Sequence, residues 1–141
     1  MQKVIVPIDG SDASIRALEA ALKLVKNTES AELHVLNIQS PIGSRNVSRF
    51  FSPETLNEYY QDEGEHALEK ALALLENTDV KYVKRIAVGP IAETIQAYIE
   101  EHGGDQLIMG TRGLAAMPGL ILGSVTTKVL SLINIPITLI K

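Results

Sequence analysis

Hydrophobic positions along this chain follow two alternating rhythms. Lys3-Val4-Ile5-Val6-Pro7-Ile8 is a nearly continuous apolar, β-branched run, the pattern of a strand buried on both faces of a parallel sheet. Asp9-Gly10-Ser11-Asp12 then supplies turn and helix-capping chemistry. Ile15, Leu18, Ala21, Leu22 and Val25 recur at helical spacing, which predicts a helix over 12–27 with one apolar face, ended at Asn27-Thr28. Leu33 to Ile38 reads as a second strand. Residues 39–52 are polar, with Pro41, Gly43 and two Arg, and read as a loop. Ser52-Pro53 opens a long helix with a hydroxyl cap and a first-turn proline, ending near Asn77. Val80 to Val88 is the third predicted strand. Gly89-Pro90 starts a third helix, closed by His102-Gly103-Gly104. Leu107-Ile108-Met109 is a short fourth strand. A glycine-rich loop covers 110–123, Ser124 caps a helix through Ile133, and Pro136 to Ile140 is the fifth strand.

The order is strand–helix four times over, then a last strand. Strict alternation predicts an α/β fold: a doubly wound, five-stranded parallel sheet with helices on both faces and right-handed crossovers. No repeat, linker or low-complexity tract divides residues 1–141, so a single domain is expected. Ligands of such sheets sit beyond the carboxyl ends of the strands, where the winding reverses. The pattern is compatible with strand order 3-2-1-4-5 or 2-1-3-4-5. In the first order the segments flanking the crevice are Asp9-Gly10-Ser11 and the loop from Gly110.

Composition narrows the function. The chain has 141 residues, no Cys, 13 Lys+Arg against 17 Asp+Glu, and a net charge of −4. The absence of Cys excludes disulfides and Cys-based zinc sites. A mildly acidic surface and only six aromatic residues, none of them Trp, argue against nucleic acid as a partner. No apolar run reaches the ~18 residues of a membrane span, and the apolar stretch before Asp9 is too short for a signal-peptide core. A cytoplasmic protein is expected.

Gly110, Gly113, Gly123 and Ser124 form G-x2-G-x9-G-S. Glycines allow close approach of a bulky anion. The helix that follows presents unpaired N–H groups and the positive end of its dipole. Strand, glycine loop and helix together predict a phosphate cradle made of main chain. It is neither a Walker A nor a G-x-G-x-x-G motif. Arg112 and Lys128 are the cations near enough in sequence to meet phosphate charge. Asp9, at the end of the first strand, can hydrogen-bond a nucleotide or help hold a metal, or serve simply as a turn residue or helix cap.

With Val6-Pro7-Ile8-Asp9-Gly10-Ser11, Leu33-His34-Val35-Leu36-Asn37-Ile38, Val88-Gly89, Ile108-Met109-Gly110-Thr111-Arg112-Gly113, Leu122-Gly123-Ser124-Val125 and Ile135-Pro136-Ile137-Thr138-Leu139-Ile140, the chain resembles the universal stress protein family over its whole length. The resemblance implies strand order 3-2-1-4-5 and the ATP-binding branch. It implies that Pro7 and Asp9 face the adenosine, that the Ile38 main chain holds the adenine edge, and that Gly110 lies near the ribose and α-phosphate. Gly113, Gly123, Ser124 and Val125 would bind the phosphates of ATP, ADP or AMP, bridged by Mg²⁺ or Mn²⁺. The last strand, 136–140, would pair with its copy in a homodimer, which also removes an apolar unpaired edge. Two departures stand out. Leu114 to Leu122 carries no charge, and Asn37 stands where many relatives have His, a position not expected to affect phosphate binding.

Nucleotide hydrolysis needs a positioned water and charge stabilisation at the γ-phosphate. The glycine loop carries no acidic residue and no Walker B-like strand accompanies it, so a nucleotide-dependent switch acting on a protein client is expected, with at most slow hydrolysis. The alternatives are a slow ATPase or nucleotide-using enzyme on the same scaffold, and a ligand-free dimeric scaffold. His34, His66 and His102 lack metal-ligand spacing and read as structural or surface residues. Tyr59-Tyr60 reads as packing and 62–65 as a solvated helix face.

Overall fold

The computed structural model describes residues 2–42, 49–111, 119 and 122–141. Its elements are β1 (Gln2–Pro7), α1 (Asp12–Val25), β2 (Ala31–Gln39), α2 (Pro53–Glu76), β3 (Lys81–Val88), α3 (Ile91–His102), β4 (Gln106–Gly110), α4 (Ser124–Leu132) and β5 (Ile137–Ile140). The strands form one parallel sheet in the order β3-β2-β1-β4-β5. This settles the choice between the two windings that the sequence pattern left open.

The alternation of strand side chains builds two cores. Val4, Val6, Ile8, Leu33, Val35 and Ile108 face α1 and α2 and meet Leu18, Ala21, Leu68 and Leu75. Ile5, Leu36, Leu107 and Met109 face α3 and α4 and meet Ala92, Ile95, Tyr98 and Val129. Strands covered on both sides need apolar residues at successive positions, which is why β1 lacks a polar alternation.

Helix ends follow local chemistry. Ser11 Oγ accepts from Ser14 N at 3.2 Å, and Ser52 Oγ accepts from Thr55 N at 3.1 Å. Gly103 closes α3 with φ +81°, its N–H donating to the Ile99 carbonyl at 2.8 Å. The expected Ser124 cap is corrected. Gly123 occupies the cap position, no side chain caps α4, and Ser124 is the first helical residue. The Gly123 carbonyl accepts the Thr127 N–H at 3.1 Å, so the main chain alone starts this helix one residue earlier than the hydroxyl suggested.

The second core contains a chain of polar groups. His34 on β2 is buried, with Nδ1 2.5 Å from Tyr98 Oη and Nε2 2.7 Å from Glu32 Oε1. Lys81 Nζ lies 3.2 Å from the other Glu32 oxygen. The hydrogen bond from His34, and then that from Lys81, hold the Glu32 carboxyl below its usual pKa, while burial pushes the Tyr98 phenol up. Each of the buried groups His34, Glu32 and Tyr98 has a partner, as buried polar groups must. His66 lies exposed on α2. Tyr59 is exposed, and the Tyr60 hydroxyl accepts the Ile42 N–H at 2.8 Å, so Tyr60 ties the end of the segment after β2 to α2.

Candidate functional site

The winding reverses between β1 and β4, and their carboxyl ends open side by side. Pro7 is the last residue of β1, opposite Leu36. The Ile8 N–H still donates to the Leu36 carbonyl at 2.7 Å, but the chain then turns out of the sheet. Asp9 Oδ1 accepts the Ser11 N–H at 2.8 Å, the side-chain turn that this residue type favours. Gly10 adopts φ +87°, where a side chain is strained.

Ile38 lies on β2 just beyond the point where β1 departs. In a parallel ladder alternate residues turn their N–H and C=O to the same neighbour. Leu36 bonds β1 and Gln39 accepts from Gly89 N on the β3 side at 3.0 Å, so the Ile38 N–H and C=O face the β1 side. No main-chain bond joins them to Ile8. The Ile8 carbonyl instead accepts Asn37 Nδ2 at 2.8 Å, and Asn37 Oδ1 accepts Gln39 Nε2 at 2.7 Å.

Gly110 ends β4, pressed against the first turn of α1. A Cβ there would lie 3.0 Å from Ala13 Cβ and 3.1 Å from the Ala13 carbonyl carbon. The chain returns to this point at the start of α4. The Gly123 N–H donates to the Thr111 carbonyl at 2.7 Å, and the Thr111 N–H to the Ile140 carbonyl at 2.9 Å. The buried Thr126 hydroxyl lies 3.2 Å from both the Gly110 and Thr111 carbonyls. The N-terminus of α4 is thereby tied to the end of β4. Ser124 is exposed there, and Val125 is half-buried against the second core. The first turn of α4 carries no acidic residue. Arg112 and Gly113 lie outside the described residues.

A model of the universal stress protein family matches residues 1–141. The chain belongs to the universal stress protein family. It is 33% identical to the universal stress protein YxiE of Bacillus subtilis, over 99% of this chain and 98% of that protein. The solved structure of MJ0577, a universal stress protein of Methanocaldococcus jannaschii, superposes with a TM-score of 0.86 at 28% identity, covering 99% of this chain and 95% of that one. A universal stress protein family protein from Arabidopsis thaliana, solved with AMP bound, superposes with a TM-score of 0.71 at 24% identity, covering 100% and 92%.

Within this universal stress protein the structure brings Pro7, Asp9, Ile38, Gly110, Gly123, Ser124 and Val125 to the same end of the sheet. Lys128 is drawn away from an anion role: its ammonium pairs with Glu93 of α3 and holds that carboxyl below its ordinary value. Reading the sequence missed Asn37, Gln39 and Thr126 as residues that shape the crevice. For Asn37 the signal was present, a lone amide in the apolar run 33–38. Among the described residues no group of three or more His, Cys, Asp and Glu could hold a metal ion, and no helix is long and apolar enough to cross a membrane.

Proposed function

We propose that this protein binds an adenosine nucleotide in the β1/β4 crevice and acts as a nucleotide-dependent switch. The observation that carries the reading is the tie between Gly123 and Thr111, which aims the amino end of α4 at the mouth of the crevice. The N–H groups of Ser124, Val125 and Thr126 have no intrahelical acceptor by helix geometry. With the helix dipole they favour a polyanion at that point. Gly110, Gly113 and Gly123 give the phosphates room. Arg112 is a cation near enough in sequence to meet their charge. Ile38 offers a main-chain donor and acceptor to the base, and Pro7 and Asp9 border the nucleoside. The AMP held by the Arabidopsis thaliana relative supports the ligand class.

Mg²⁺ or Mn²⁺ would be carried mainly by phosphate oxygens, where it neutralises charge. Asp9 is the carboxylate of the turn after β1, and it already accepts the Ser11 N–H. Hydrolysis slower than the ~1 s⁻¹ of an ordinary enzyme is expected, with the nucleotide acting as a signal to a protein client in the cytoplasm. The working unit is a homodimer joined through 136–140.

Mass spectrometry of small molecules released by denaturing the purified protein tests the ligand. Release of AMP, ADP or ATP, or uptake of added ATP at one per chain, is expected. A protein that neither carries nor takes up an adenosine nucleotide contradicts the reading.

A further inference from the structure

We propose that Asn37 is a positioning residue that keeps the Ile38 N–H open to a ring nitrogen of the base. This rests on the nucleotide reading above and assigns a role to a side chain two strands away from the phosphates.

The register of β1 and β2 is correct for one more ladder bond than forms. Pro7 stands opposite Leu36, and the Ile8 N–H reaches the Leu36 carbonyl at 2.7 Å. The next bond of a parallel ladder would run from the Ile38 N–H to the Ile8 carbonyl. That carbonyl is taken by Asn37 Nδ2 at 2.8 Å instead. A carbonyl only accepts, so the Asn37 amide must present its nitrogen to Ile8 and its oxygen to Gln39 Nε2, 2.7 Å away. The Ile8 carbonyl therefore fixes the orientation of Asn37, and Gln39 satisfies the oxygen that this leaves. Asn37 is 2% exposed, and a buried amide is costly unless both ends are bonded. An aliphatic residue would fill this core position more cheaply and let the ladder close on Ile38.

The consequence is a donor and an acceptor side by side on Ile38, facing the crevice. Adenine presents the complement, with ring N1 as acceptor and the exocyclic amine as donor. Guanine presents the reverse pair on that edge. With Asn37 in place, the Ile38 N–H is the group that reads N1.

The test compares ATP with 1-deazaadenosine triphosphate, which lacks the N1 acceptor, by calorimetric titration of the full chain. In the wild type a preference for ATP of about five- to tenfold is expected, the size of one hydrogen bond. In Asn37→Leu the preference should fall to about one, and Asn37→His, with one donor and one acceptor, should restore it. Gln39→Ala should lower it part-way, and serves if Asn37→Leu does not fold. Amide exchange of the nucleotide-free protein gives an independent readout: the Ile38 N–H should exchange fast in the wild type and slow in Asn37→Leu. An unchanged ATP preference in folded Asn37→Leu, or an Ile38 amide already protected in the wild type, overturns the proposal. A wild type that binds neither nucleotide overturns the function reading and the base contact with it, while amide exchange still decides what Asn37 does to Ile38.

Discussion

Gly110 and Ala13 bring the end of β4 and the first turn of α1 into direct contact, with no side chain on the strand between them. A Cβ at Gly110 would stand 3.0 Å from Ala13 Cβ and 3.2 Å from its carbonyl oxygen. Backbone on both sides leaves little to yield. Gly110→Ala is expected to cost about 1–3 kcal/mol and lower the melting temperature by roughly 3–10 °C. Adding Ala13→Gly should recover part of that, since only the side-chain share of the clash is removed. Thermal denaturation of the single and double variants checks both statements. The single variant should also bind nucleotide more weakly, because α1 and the Asp9 turn are pushed from β4.

A second close approach sets the position of α2. A Cβ at Gly64 would lie 2.5 Å from Ile86 Cγ2 on β3. Alanine is the better helix former by about 1 kcal/mol, so an isolated helix would gain from Gly64→Ala. The protein is expected to lose about 1–3 kcal/mol instead. Ile86→Ala alone should destabilise, but in combination with Gly64→Ala the losses should be less than additive. Urea denaturation of the four proteins in the cycle measures this.

The Glu32–His34–Tyr98 chain makes stability depend on acidity in one direction. The hydrogen bond from His34, followed by that from Lys81, lowers the Glu32 pKa below its ordinary 4.5. A carboxyl with a lowered folded-state pKa contributes stability that is full above its unfolded value and fades as pH falls through the folded one. Denaturation at stepped pH should show this loss below about 4.5. Glu32→Gln should be less stable at neutral pH and lose less on acidification. An equally steep acid limb in that variant assigns the loss to other carboxylates.

The proposed homodimer has its own test on β5. The Leu107 N–H takes the Pro136 carbonyl and the Thr111 N–H takes the Ile140 carbonyl, at 2.9 Å each. Even-numbered residues of 136–140 therefore bond β4, and Leu139 turns its N–H outward. Leu139→Pro removes that outward donor and leaves the inner ladder intact. Sedimentation should show a dimer for the wild type and a monomer for a folded Leu139→Pro. A wild-type monomer contradicts pairing through this strand.

Much of this fold was written in local pattern. The apolar runs at 3–8, 33–38 and 136–140 each gave a strand within one or two residues of its observed bounds, and Ser52-Pro53 marked the start of α2. Winding order was not, because both candidate orders share the same alternation. It came with the family resemblance, and the sheet agrees. Gly110 and Gly123 stood out by spacing. Their partners did not: the Asn37–Ile8 bond spans 29 residues and Thr126–Gly110 spans 16, and such bonds depend on register and on where one strand leaves the sheet. Ser124 misled for a related reason. Its hydroxyl matched a cap, but the Gly123 main chain, already fixed by Thr111, started the helix first.

The proposed nucleotide site rests on main-chain amides at the start of α4 that grip the phosphates. Titration with a fluorescent ATP analogue, displaced by ATP, tests it most directly when wild type and Gly123→Val are run together. Saturable binding at one site per chain is expected in the wild type. At least a hundredfold weaker binding is expected in a folded Gly123→Val, where a side chain fills the anion's space, a loss of about 2.7 kcal/mol or more. Equal affinity in the two proteins rules the phosphate grip out.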